Sequence, residues 1–129
     1  DTPADKNPIK LGKGVTLNAV DNMTLTNRGL LIYLEKLCQK HQIPYQIACF
    51  MDGGTDAGNI YKSLEGILAT TLSIPMRYMH THQGILHKKD VEATLRLMKV
   101  LCQELTPEIY KQIMIENYRF QKGEGQCGE

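Results

Sequence analysis

The sequence predicts an α/β fold, a layered sheet with helices packed on it, and three observations carry that prediction. Short β-prone runs alternate with longer amphipathic segments, the order expected when strands and helices take turns. Glycine turns stand where strands would hand over to helices, most visibly at Gly53-Gly54. With 129 residues, 42% of them apolar and 22% charged, the chain has globular composition and enough length for one hydrophobic core.

Residues 1–8 are polar, carry two prolines and read as a leading loop. Past Gly12 and Gly14, Val15, Leu17 and Ala19 alternate with polar neighbours, the period of a half-buried strand within Ile9 to Val20. Thr26 or Asn27 is placed to cap a helix with Leu30, Leu31, Leu34, Leu37 and Cys38 on one stripe, and Pro44 closes it. Tyr45 to Phe50 is aromatic and β-prone, and it runs into Asp52-Gly53-Gly54-Thr55-Asp56, after which Ala57 to Leu64 can be helical. A second apolar run, Leu68 to Ile74, ends at Pro75 and leads into Arg77-Tyr78-Met79-His80. Asp90 is placed to cap a helix whose Val91, Leu95, Met98, Leu101, Cys102 and Leu105 recur at steps of three and four. Thr106-Pro107-Glu108 opens the last helix, with proline at the first helical position and an acid in the first turn. One domain over residues 1–122 and a flexible tail over 123–129, from Gly123 onward, are expected.

A net charge of +1 offers no electrostatic case for nucleic acid or an anionic membrane as partner. The four cysteines form no CxxC pair, so neither a zinc ribbon nor a disulfide framework is signalled. Cys38, Cys49 and Cys102 lie in apolar periodic segments and are expected to be buried free thiols, which favours a reducing, cytoplasmic setting. No run of roughly 18 apolar residues and no export signal occurs. The chain starts Asp1-Thr2-Pro3 without a methionine, from which an upstream segment is expected.

Two loops have the position, beyond a strand, where α/β sheets bind ligands. In Gly53 to Gly58 (GGTDAG), two glycines allow a close backbone approach and the following helix start offers free N–H groups to a carboxylate or carbonyl. The same residues also suit a tight turn, with Asp56 as a plain helix cap. Phosphate is disfavoured, because Asp52 and Asp56 would repel it and no Gly-Lys-Ser/Thr follows. The second loop holds His80 and His82, which would face one side of an extended chain and could share a metal, or could be hydrogen-bonded structure. His41 and His87 read as solvated, and Arg77 suits either a pair with Asp56 or a substrate carboxylate.

The DTP start, GGTDAG, the segment Ser73-Ile74-Pro75-Met76-Arg77-Tyr78-Met79-His80 and the helix opened by Lys89-Asp90-Val91-Glu92 occur in one order over about residues 1 to 105. Together they resemble the C-terminal part of the catalytic domain of a co-catalytic metallo-aminopeptidase family, the glutamyl or deblocking aminopeptidases, some of whose members carry cellulase M or endoglucanase names. The resemblance implies two divalent metal ions, zinc or cobalt, with His80 as the last metal ligand, because it closes the RY-x-H motif. It places Gly53, Gly54, Thr55 and Asp56 near the substrate cleft. Removal of N-terminal residues from peptides and a large self-compartmentalising homo-oligomer are implied for the complete enzyme.

The chain also departs from that pattern. The family's first His and Asp ligands, its bridging Asp, its Glu-Glu pair and an Asp shortly before DTP are expected upstream of Asp1, and no Glu-Glu pair occurs in the 129 residues. No catalytic residue is therefore assigned here, and the isolated chain is expected to be inactive. His80-Thr81-His82-Gln83 looks more like the glutamyl-aminopeptidase branch than the one with proline after the ligand, while Tyr61-Lys62 stands where a different helix segment is expected. Two other functions remain: a catalytically dead remnant acting as an interaction module, and a glucanase, which would need two carboxylates flanking a sugar bond.

Overall fold

The computed structural model describes residues 8–50, 53–63 and 66–121. The expected tail from Gly123, Asp52, Leu64 and most of the leading loop lie outside the described residues. The order is β1 (Val15–Val20), α1 (Arg28–Lys40), β2 (Tyr45–Cys49), α2 (Ala57–Tyr61), β3 (Leu72–Ser73), β4 (Met76–Arg77), β5 (Ile85–Leu86), α3 (Lys88–Glu104) and α4 (Pro107–Gln121). The α/β alternation is therefore present.

Strand β1 is the middle of a sheet ordered β2-β1-β3, parallel to β2 and antiparallel to β3. Gly14, at φ +101°, lets the start of β2 come alongside, since a Cβ there would overlap the Pro44 carbonyl. Being central, β1 is not half-buried as its alternation predicted: Val15, Thr16, Leu17 and Asn18 are all buried. Val15 and Leu17 meet Leu34, Leu37 and Cys38 of α1, Ile43, and Ala93 and Leu97 of α3 in one core. Each such leucine, moved out of water, contributes roughly 1.5–3 kcal/mol.

Helix α1 starts where expected, with the Asn27 side chain accepting from the Leu30 N–H. Its Gly29 abuts α4, because a Cβ at that position would overlap the Ile113 carbonyl. Helix α4 begins at Pro107 as its proline and glutamate foretell.

Four expectations are corrected. His87, not Asp90, caps α3: its Nδ1 accepts from the Lys89 N–H, while Asp90 lies buried inside the first turn. The face of α3 that enters the core carries Asp90, Ala93, Thr94 and Leu97, so the predicted stripe is largely outward, with Leu95 60% and Met98 49% exposed. Small Ala93 and Thr94 allow the helix to lie close to β1, which larger side chains would prevent. Of the three cysteines only Cys38 is buried; Cys49 is exposed on edge strand β2 and Cys102 on the outer face of α3. Burial pushes the Cys38 thiol up to about 11, so it stays neutral. Lastly, His41 is not solvated: it is half-buried, with Nε2 2.6 Å from Glu104 Oε1, and Lys40 meets the other oxygen at 2.8 Å. The hydrogen bonds from Lys40 and His41 hold the Glu104 carboxyl below its usual range.

Candidate functional site

The two candidate loops lie at opposite ends of β1. The parallel pairing of β1 with β2 carries the chain beyond the C-terminal end of β1, where Phe50 N–H donates to the Val20 carbonyl and Asn22 N–H to the Gly53 carbonyl. Strand β3 runs the other way, with Leu72 opposite Leu17 and Ser73 opposite Thr16, so Pro75 and everything to Leu86 emerge at the N-terminal end of β1. Six strand residues span about 16 Å between those ends. The structure therefore does not bring Gly53, Gly54, Thr55 and Asp56 together with His80.

At the C-terminal end, Asp21 organises the glycine loop. Its Oδ1 accepts from the N–H groups of Met23 at 2.8 Å and Thr24 at 2.7 Å; its Oδ2 accepts from Asn18 Nδ2 and Thr55 Oγ1, both at 2.9 Å. Thr55 Oγ1 also lies 2.8 Å from Thr71 Oγ1. Because the Thr55 proton points at Asp21, its hydroxyl is engaged inward rather than offered to a ligand. Met23 fills the space between two glycines, since a Cβ at Gly54 or Gly58 would collide with its side chain. Gly53, by contrast, has open space where a Cβ would go, and the exposed Asp56 begins α2 without a side-chain capping bond. Sequence reasoning passed over Asp21; its spacing to Met23 and Thr24, an Asp followed by two free N–H groups, is the signature of an Asx turn and was the available signal.

At the N-terminal end, β4 and β5 form a hairpin with Met76 opposite Leu86 and Arg77 opposite Ile85. The residues between them do not continue as an extended strand. Tyr78 and His80 take left-handed conformations, at φ 59° and 62°, and Thr81 Oγ1 lies within hydrogen-bond reach of the Tyr78 and Gln83 carbonyls, at 2.7 and 2.6 Å, with one proton to give to either. Each non-glycine residue held there costs on the order of 1–2 kcal/mol. His80 and His82 therefore do not share one side of an extended segment, although both are exposed in the same loop. Among the described residues no three His, Cys, Asp or Glu side chains gather where they could hold a metal ion. His80 fits a metal centre as one donor of several, and further donors would have to come from outside the described residues.

Directly after the hairpin, the first turn of α3 carries Asp90, which is bonded to the segment leading into β1. Its two oxygens accept from the N–H groups of Gly12 and Gly14, each at 2.7 Å, and the His87 ring lies over Gly12. Gln46 of β2 holds the same stretch through Lys10, donating Nε2 to its carbonyl at 2.9 Å and accepting its N–H at 2.8 Å.

Comparison with known proteins bears on the family and the fold. Residues 1–97 match the M42 glutamyl aminopeptidase family. Lysyl aminopeptidase of Pyrococcus furiosus is 35% identical over 108 residues, 81% of this chain and 30% of that protein. The TET aminopeptidase of a marine-sediment Thaumarchaeota archaeon superposes with a TM-score of 0.82 at 32% identity, covering 85% of this chain and 31% of that one. The TET1 peptidase of Pyrococcus horikoshii, described as assembling into a tetrahedron or a large octahedral shell, superposes with a TM-score of 0.68 at 34% identity, over 75% of this chain and 28% of that one. The chain thus spans about 30% of the length of the curated relatives it matches. With three quarters of its residues covered by one family pattern and its mixed α/β fold shared with solved members, the chain belongs to the M42 glutamyl aminopeptidase family.

Proposed function

We propose that this chain contributes the His80 hairpin to an aminopeptidase that removes N-terminal residues from peptides with the help of two divalent metal ions, zinc or cobalt. The observation that carries this reading is the RYMH hairpin of an M42 family chain, with His80 exposed at a backbone conformation that costs energy to hold. Strain of that kind is retained where a side chain must be aimed. His80 would serve as one ligand; when bound, such ions lower the pKa of their water toward about 7 and polarise the scissile carbonyl. The chain's own part is to hold the imidazole in the loop of a short hairpin that runs directly into α3. Gly53 to Asp56 are not proposed as neighbours of that metal; their contacts with Asp21 and Met23 support a role in closing the far end of the sheet.

Assembly into a homo-oligomer follows the same reading, supported by the shells described for the TET1 peptidase. A cytoplasmic location is supported by free thiols, and among the described residues no helix is long and apolar enough to cross a membrane.

A chimaera tests the assignment. Residues 1–97 would replace the matching stretch of the Pyrococcus furiosus lysyl aminopeptidase, and hydrolysis of a chromogenic amino-acid amide would be measured with and without His80→Ala. Loss of a second-sphere partner already costs 10- to 100-fold at metal sites, so loss of a direct ligand should exceed roughly 100-fold while the chimaera stays folded. Full activity and full metal content in the His80→Ala chimaera would refute the role of His80.

A further inference from the structure

We propose that Asp90 is a positioning residue, one that fixes the hairpin carrying His80 against the segment leading into β1. The inference rests on reading His80 as a metal ligand, and goes beyond it by saying what aims that ligand.

Asp90 is fully buried, yet it is a carboxylate, and a buried charge persists only where donors surround it. Its two oxygens are each met by one backbone N–H, from Gly12 and Gly14, at distances typical of charge-assisted bonds. Those donors lie 78 and 76 positions away in sequence. Both glycines have positive φ, +79° and +101°, so the N–H groups converge on one side chain only because the backbone turns as other residues rarely do. Asp90 is itself held within the first turn of α3: its N–H donates to the His87 carbonyl at 2.9 Å, and its carbonyl accepts from Thr94 Oγ1 at 2.8 Å. His87 follows directly on β5, and its ring covers Gly12.

The consequence is a closed loop of constraints. Gln46 joins the stretch before β1 to β2, and Asp90 joins the same stretch to the foot of the hairpin. A hairpin with only two paired residues on each strand has little stability of its own, so its orientation is inherited from its base. Asp90 therefore acts on His80 through backbone geometry, without touching it.

The test uses the full 129-residue chain and its Asp90→Asn variant. Asparagine keeps the shape but offers one acceptor and points an N–H at the other donor. Hydrogen exchange at Gly12 and Gly14 should accelerate roughly tenfold or more, and the amides of the β4–β5 pairing should accelerate with them. The ring resonances of His80 should shift, while those of His41, held by Glu104 on another part of the molecule, should not. Unchanged exchange at Gly12 and Gly14 would overturn the clamp. Faster exchange there with an unmoved His80 ring would overturn positioning, and so would equal shifts of His80 and His41, which would mark general loosening. If the variant does not fold, exchange in the wild type decides: Gly12, Gly14 and the hairpin amides should open as one unit, and a hairpin that opens far more readily refutes the proposal. The chimaera separates the two readings. Full activity and full metal content in its His80→Ala form, with the exchange coupling intact in the 129-residue chain, would count against His80 and not against Asp90.

Discussion

The two buried aspartates do different work with the same chemistry, and both were hard to see from residue type alone. Asp90 had the position of a helix cap, but a cap is satisfied by its own helix, whereas this side chain is satisfied by N–H groups 76 and 78 positions away. Asp21 lies at the end of β1 and accepts four hydrogen bonds. Burial pushes its carboxyl up, but the Met23 N–H, the Thr55 hydroxyl and the Thr24 N–H outweigh burial and hold it below the ordinary aspartate value of 3.8. A depressed folded-state pKa gives stability that is present above the unfolded value and is lost as pH falls through the folded one. Urea unfolding of wild type and Asp21→Asn should therefore differ near neutrality and converge below about pH 4. A gap that stays constant down to pH 2 would show that Asp21 is not the titrating group. Glycines divide in the same local way. Gly14→Ala should cost more than about 2 kcal/mol, because φ is +101° and the Pro44 carbonyl occupies the Cβ position, whereas Gly53→Ala, with open space, should stay within about 0.5 kcal/mol. Equal denaturation midpoints for the two variants would contradict the glycine geometry.

Elements were legible wherever a local signal decides them. Asn27, Pro107 and the β-prone Tyr45 run each announce a boundary through their own chemistry, and α1, α4 and β2 stand where those residues put them. Helix α3 was legible as a helix but not in its facing. Periodicity favours the bulky stripe Val91, Leu95, Met98, Leu101, Cys102 and Leu105, of which Leu101 does pack against the core while Leu95, Met98, Cys102 and Leu105 are exposed. The core took mainly the stripe of Ala93, Thr94 and Leu97, because only small Ala93 and Thr94 let the helix approach β1. Strand pairing was equally out of reach: β3 and the hairpin are two residues per strand, too short for any pattern. The facing of α3 is testable. Leu97→Ala should destabilise by roughly 2–5 kcal/mol, since it empties a fully buried site, and Leu95→Lys should change stability by no more than about 0.5 kcal/mol. Comparable losses in chemical denaturation would mean that both stripes are packed.

At the scale of the whole molecule, the direction of β3 settles how the two glimpsed loops relate, and no residue-level signal could have done so. A parallel β3 would have delivered His80 to the same end as GGTDAG; the antiparallel pairing of Ser73 with Thr16 delivers it to the other. The exposed hairpin and the Asp21-braced loop are thus separate features at the two ends of a central strand whose first four residues are buried. Zinc offered to the isolated chain should find His80, with His82 beside it, and too few other donors among the described residues to bind more tightly than exposed histidines do. Amide resonances should shift in residues 78–83 and fade in effect toward Gly12, while Thr55, Asp56 and Met23, beyond a strand about 16 Å long, should hold still. Because the missing donors also carry the negative charge that offsets a divalent ion, the same sample should hydrolyse no amino-acid amide. Stoichiometric tight zinc binding that His80→Ala abolishes would show a self-sufficient site within this chain. Shifts at Thr55 and Asp56 that track those of His80 would show that the two ends of β1 respond as one, and the separation drawn from strand direction would not survive.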